Sequence, residues 1–363
     1  MATESLETTR GIIPQEVWSF YDPNGSLTPS DNPEGALLSW LDSKREQSLI
    51  LPHIGRIATR RLVAMELTHI GAITSENALL HADWLDQPTG TIEQGVEAAA
   101  LYAQDISHLC RQAITRVRRD TCLDQASDIV LAGAILSANT HLGEKRLSGR
   151  SYYSHPRAVG LLLQTAAQIH LNDLEQEQIE TFDGLLHDGF EHAIDKRGGS
   201  FLATPRLLVS PLVIATVLQD LGVSGHVAWN AARDNLTLTK LVGPDGGIAW
   251  DTYIHRFDLQ PTANPKKLAG LRHNRDIDPK IAPIEDPQAA QKIASLRNQY
   301  RDAQNYLSSV NKRLPHVQWS IGQELFALAI NNLDVSNLRD AEKQSAWAHI
   351  PEDKLIDSFK KQL

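Results

Sequence analysis

Cysteine is scarce: of 363 residues only Cys110 and Cys122 carry a thiol, and their spacing is not that of metal ligands. Cys110 shares a helical stripe with Ile106, Ala113, Ile114 and Val117, so it reads as a reduced core thiol rather than half of a disulfide or a nucleophile. Long apolar runs are missing as well. The longest candidate, about 207–221, is broken by Pro211, Gln219 and Asp220, short of the roughly 18 residues a membrane span needs. Met1 to Gly35 lacks the basic start and apolar stretch of a signal peptide, so the expectation is a cytoplasmic protein with no membrane partner. Positive charge is not in excess either. A net charge of −9 argues against a non-specific nucleic-acid binder, while leaving room for a locally basic pocket that takes one small anion. The chain has no Gly-rich loop ending in Gly-Lys-Ser/Thr, no His-Glu-x-x-His helix and no Gly-x-Ser-x-Gly elbow.

What is present is helical periodicity. Segments 54–67, 94–117 and 126–142 repeat apolar residues three and four apart, and convincing strand alternation is absent, which predicts an all-α fold. Hydrophobic content of 42% against 22% charged is enough to bury a core. The predicted organisation is a polar arm over 1–35, a helical region over 36–125, a second helical set over 126–282, and a helical extension over 283–363. Asp286 and Pro287 start the long helix of the extension, whose stripe of Ile293, Leu296, Tyr300, Ala303, Leu307 and Val310 is expected to pack against the body. Asn264 and Pro265 read as an N-cap and first-turn pair of another helix.

Chemistry concentrates in four places. "LEQEQIETFDGLLHDGFEHA" (174–193) turns Leu174, Ile179, Phe182, Leu185 and Leu186 largely to a buried face, followed by His187 and Asp188. Imidazole and carboxylate are both good ligands for a divalent transition metal, but with 14 histidines about one His-Asp pair is expected by chance. Order and context add to it. Upstream, "THLGEKRLSGRSYYSHPRAVG" (140–160) resembles the pattern A-H-x-G-Q-x-R-K-S-G-x-x-Y-x-x-H-P-x-x-V-A at His141, Gly143, Arg146, Ser148, Gly149, Tyr152, His155, Pro156 and Val159. "LLHDGFEH" (185–192), "LTKL" (238–241) and "KKLAGLRHN" (266–274) follow in the order of the later blocks L-L-H-D-x-x-E-D, V-T-K-L and V-K-L-A-D-x-x-H-N.

These blocks resemble the HD-domain metal phosphohydrolases, specifically the hydrolase domain of RelA/SpoT enzymes that degrade the alarmones ppGpp and pppGpp. The resemblance covers roughly 127–280. It implies an HD-domain helical bundle in which two histidines and two aspartates hold one divalent ion, typically manganese. His155, His187 and Asp188 are the first three ligands by motif position; the fourth falls on Gly270, which offers no ligand atom. Glu191 and His192 occupy the places of the acid/base residues. Arg146, Ser148, Tyr152 and Asn274 match nucleotide-contacting positions, with Lys240 and Lys267 as candidates to neutralise phosphate. Leu147 stands where the family has a lysine.

The function this implies is a metal-dependent guanosine 3′-pyrophosphohydrolase, impaired by Gly270. Its substrate would be a small nucleotide, with a protein partner or second copy left open. The alternatives are a catalytically weak nucleotide-binding or regulatory protein, and an inherited helical scaffold.

Overall fold

The computed structural model describes residues 92–121, 126–146, 149–189, 209, 211–238, 253–254, 256–258, 260–277, 287–309, 321–333 and 335–360. These form eleven α-helices and no strand, an all-α architecture. The nearest approach to a sheet among them is one isolated antiparallel bridge between Lys145 and Ser151. The expected helix at 54–67 and Cys122 lie outside the described residues.

Helix α1 spans Ile92–Thr121 and α2 Asp128–Thr140. Then come α3 (Ser154–His170), α4 (Leu174–Leu186), α5 (Pro211–Asp220) and α6 (Gly225–Leu238). The chain ends with α7 (Asn264–Arg272), α8 (Pro287–Leu307), α9 (Ile321–Asn332), α10 (Val335–Gln344) and α11 (Glu352–Lys360).

The apolar pattern explains who sits at the centre. In α2 every residue from Ile129 to Thr140 is buried, as a helix apolar all round must be. It packs against α1, α4 and α11. α3 lies between α4, α7, α9 and α10, while α5 and α6 pair beside α1. One contiguous core runs from Ala103 on α1 to Phe359 on α11, with Cys110 at 0% exposure inside it. Burial pushes the Cys110 thiol up to about 12, so it stays protonated. Of the expected stripe of α8, Ala303 and Leu307 are buried and Tyr300 packs half-buried against the core, while the side chains of Ile293, Leu296 and Val310 lie outside the described residues.

Two local expectations need correction. Leu174 was expected on the buried face of α4 but is 68% exposed. It lies five residues from Ile179, about 140° around a helix of 3.6 residues per turn, and so points away from the core. The cap of α4 is Asp173, whose Oδ1 accepts from the backbone N–H groups of Glu175 and Gln176 at 3.0 and 3.1 Å. Asn264, in turn, is no cap. It is the first residue of α7 proper, entered from a 3₁₀ turn over Pro261–Ala263, and its buried amide makes no hydrogen bond.

Candidate metal centre

The site exists because α3 and α4 touch backbone to backbone. A Cβ on Gly184 would lie 2.6 Å from Leu163 Cδ1 and 3.0 Å from Gly160 Cα, so only glycine permits this approach. His155 stands five residues before Gly160 on α3, and His187 three residues after Gly184 at the C-terminus of α4. Close packing at the glycines therefore brings the two imidazoles together.

His155 Nε2 lies 3.1 Å from His187 Nε2 and 3.2 Å from Asp188 Oδ2, and His187 Nε2 lies 3.2 Å from Asp188 Oδ1. Among the described residues these three are the group whose ligand atoms converge as a metal site requires. Donors around an ion with bonds of about 2.1 Å sit about 3.0–3.4 Å apart in octahedral to tetrahedral arrangements, so the observed spacing fits. The proton inventory fits as well. His187 Nδ1 lies 2.7 Å from the Gly184 carbonyl oxygen, which can only accept, so Nδ1 carries the hydrogen and Nε2 is a lone pair.

Electrostatics keep the donors in their ligating forms. Burial lowers both imidazoles, His155 well below and His187 below the usual histidine value, against the pull of the Asp188 carboxylate. For Asp188 burial works upward, but His187 and His155 outweigh it and hold the carboxyl well below the usual range. The side chain of Asp188 keeps 17% exposure, so the centre has an opening on its side. The Tyr152 hydroxyl donates to Asp188 Oδ2 at 3.1 Å, and the Tyr152 ring stacks on buried His141 at 4.7 Å. Tyr152, expected to face a nucleotide, thus engages the Asp188 carboxylate.

Position 270 faces the same centre. A Cβ there would sit 3.3 Å from His187 Nε2 and 3.4 Å from Cδ2. α7 therefore presents to the histidine pair the place where the resembled family carries its fourth ligand, and this chain has glycine in it. Asn274 and Arg146 meet beside the site, the Arg146 Nη2 donating to Asn274 Oδ1 at 3.0 Å. Arg146 is 7% exposed, so little of its guanidinium plane reaches solvent. Lys267 lies over the Tyr253 ring at 4.6 Å. Ser148, Glu191, His192 and Lys240 lie outside the described residues.

Two features were not singled out from the sequence. His273, just past α7, brings its Nδ1 to 2.7 Å from His155 Nδ1, and burial together with Arg146 lowers it to about 3. It begins a π-helical turn over His273–Ile277, the kind of irregularity that recurs at functional sites. The signal was in hand, since His273 belongs to the quoted "KKLAGLRHN".

The second is Lys266. Its Nζ lies 2.6 Å from Asp234 Oδ2, 3.1 Å from Glu180 Oε1 and 3.3 Å from Asp183 Oδ2, all four side chains buried. Burial would pull Lys266 down, but the three carboxylates raise it well above its usual value, so it stays charged. Burial pushes Glu180 up and Asp183 well up, against the pull of Lys266. Lys266 precedes Gly270 by four residues and Asp183 precedes His187 by four, so one turn along the α4–α7 seam this ion cluster sets the register that aims position 270 at His187. Nothing in the sequence pattern pairs these residues, because they come from three separate helices.

Comparison with known proteins adds no relative: no family model, no curated protein and no solved structure matches the chain.

Proposed function

We propose that this protein is a divalent-metal phosphohydrolase of the HD type. In this reading it acts on a guanosine nucleotide pyrophosphate, works in the cytoplasm, and is impaired by glycine at position 270. The observation that carries the reading is the convergence of His155, His187 and Asp188, with position 270 against the same imidazole. It is supported by motif order: these residues come from three of the four sequence blocks, which follow one another as in the resembled family.

A manganese or similar ion bound there supplies a Lewis acid for a phosphoryl oxygen and lowers the pKa of water. The chain's own residues do the rest. His187 is oriented by the Gly184 carbonyl, and Asp188 is held ionised by two imidazoles and oriented by the Tyr152 hydroxyl. The Arg146–Asn274 pair offers the positive, hydrogen-bonding wall that a nucleotide needs once Arg146 is freed from Asn274. Glu191 keeps its motif assignment as the group that orders and deprotonates the attacking water, with His192 as the acid.

Gly270 favours a second reading, a nucleotide-binding protein with weak catalysis, because a centre with three protein ligands holds its ion less firmly. One experiment separates the two: the protein is loaded with manganese and offered ppGpp, with pyrophosphate release and nucleotide binding measured in parallel. Turnover supports the hydrolase. Tight binding without turnover supports the regulatory protein, and neither binding nor turnover refutes both.

A further inference from the structure

We infer that the cavity beside Lys266, between α4, α6, α7 and α9, is a binding site for a small organic ammonium: a protonated primary amine on a short apolar body, its charge held by Glu180 and Asp183. The site lies outside the metal centre and does not depend on it.

The cavity has a volume of about 250 Å³, just below the ~300 Å³ at which cavities for drug-sized ligands begin, so its occupant has few heavy atoms. It reaches the surface, because Thr262 is exposed and Gln176 and Asn230 are half-buried. One wall is apolar, made by Leu171, Ile179, Val227 and Phe326. The other is the ion cluster, where the carboxylates of Glu180, Asp183 and Asp234 stand against the one ammonium of Lys266, an excess of two negative charges when all are ionised.

The hydrogen bonds leave an anion nothing to hold. Lys266 Nζ donates to Glu180 Oε1, Asp234 Oδ2 and the Thr262 carbonyl oxygen at 3.1, 2.6 and 3.2 Å, so all three of its hydrogens are used. Asp234 Oδ1 accepts from Gln260 and Thr262. Glu180 Oε1 accepts from Gln176 as well, at 2.8 Å, but Glu180 Oε2 accepts from nothing although the side chain is only 7% exposed. Asp183 Oδ1 accepts from Asn235 at 2.6 Å; its Oδ2 lies 3.3 Å from Lys266 Nζ and makes no hydrogen bond. Two buried carboxylate oxygens, about one turn apart on α4, thus lack a donor, and burial pushes both groups up. A ligand ammonium supplies three N–H donors and the missing positive charge together. A bare inorganic cation would answer the oxygens but set its water shell against the apolar wall. Among the described residues, the donors that converge as for a metal ion are instead those of His155, His187 and Asp188.

Titration calorimetry of the full-length protein with n-butylammonium chloride provides the test. One saturable site is expected, with butan-1-ol and potassium chloride binding at least about tenfold more weakly. Glu180→Gln keeps an acceptor for Gln176 and Lys266 but turns an N–H donor toward the ligand, and should lower the butylammonium affinity about tenfold or more. Val227→Phe fills the cavity from its half-buried side without touching a carboxylate, so it should abolish binding and serves even where the first variant does not fold. Glu175→Gln, exposed on α4, should change nothing. A wild-type titration that never saturates overturns the inference, as does unchanged affinity in folded Glu180→Gln or Val227→Phe. Equal binding of butan-1-ol overturns the role of charge, and equal binding of potassium overturns the organic ligand. An equal loss in Glu175→Gln assigns the attraction to the acidic surface and overturns the site.

Discussion

Replacing Gly270 by Asp tests the reading at its weakest point. The backbone raises no objection: Gly270 is inside α7 and not in the left-handed region, and an ordinary residue there recovers about 0.3–0.5 kcal/mol of helix propensity. The new Cβ would sit 3.3 Å from His187 Nε2, so the imidazole must give by a few tenths of an ångström. Without metal, a second carboxylate enters a buried site already holding Asp188, and leaving a charged group unpartnered costs about 1–3 kcal/mol. The metal-free variant should therefore be less stable than wild type. With metal the sign reverses, because the carboxylate completes the four-ligand set. Each tenfold gain in affinity adds about 1.4 kcal/mol at saturating ion, or roughly 3–5 °C of melting temperature for a domain of this order of size. Scanning calorimetry of both proteins with and without manganese reads the difference. The expected result is a lower metal-free midpoint and a larger manganese-induced rise in Gly270→Asp than in wild type. An equal or smaller rise refutes the assignment of position 270 to the ligand sphere, whatever the effect on turnover.

Other perturbations test neighbouring steps. Lys266→Met leaves Glu180, Asp183 and Asp234 buried without their cation, a loss expected to cost about 3–5 kcal/mol in urea unfolding. That cost should be greater at pH 8 than at pH 5, where protons neutralise the acids, and a loss under 1 kcal/mol would remove the register argument. Tyr152→Phe keeps the stack on His141 but deletes the donor to Asp188, so manganese affinity should fall by about 3- to 10-fold with little change in stability. Unchanged affinity would show that the hydroxyl does not orient the ligand.

Acid should destabilise the metal-free protein through His155, His187 and His273. All three are held below the usual histidine value, so the unfolded chain binds protons that the native state does not. Stability is retained above about pH 6.5 and falls below it by up to about 1.4 kcal/mol per pH unit for each histidine. Urea titrations at pH 7.5, 6 and 5 measure this slope, and His273→Asn should reduce it. A flat profile would mean the histidines are not buried neutral.

How much of this was legible in the sequence varies by level. Helix periodicity announced α1, α2 and the burial of Ala303 and Leu307 on α8, because local spacing is enough to define an apolar face. Leu174 shows the limit of that reading: its apolarity suggested burial, yet the geometry of α4 turns it to solvent. His155, His187 and Asp188 were identified by motif order alone. Tyr152 was also singled out, but its partner, Asp188, depends on the angle between two elements that no spacing encodes.

By itself, then, the sequence determined the helical class and singled out His155, His187, Asp188 and position 270, whose roles around a metal are the proposal made above. Tertiary structure decided the rest. The Gly160–Gly184 contact makes the donors converge, the Lys266 cluster aims position 270 at His187, and the turn after α7 delivers His273 to His155. The physical reason is common to all three. Side-chain identity and local periodicity are properties of neighbours along the chain, whereas distances of 3 Å between imidazoles arise only when helices far apart in sequence pack in one register.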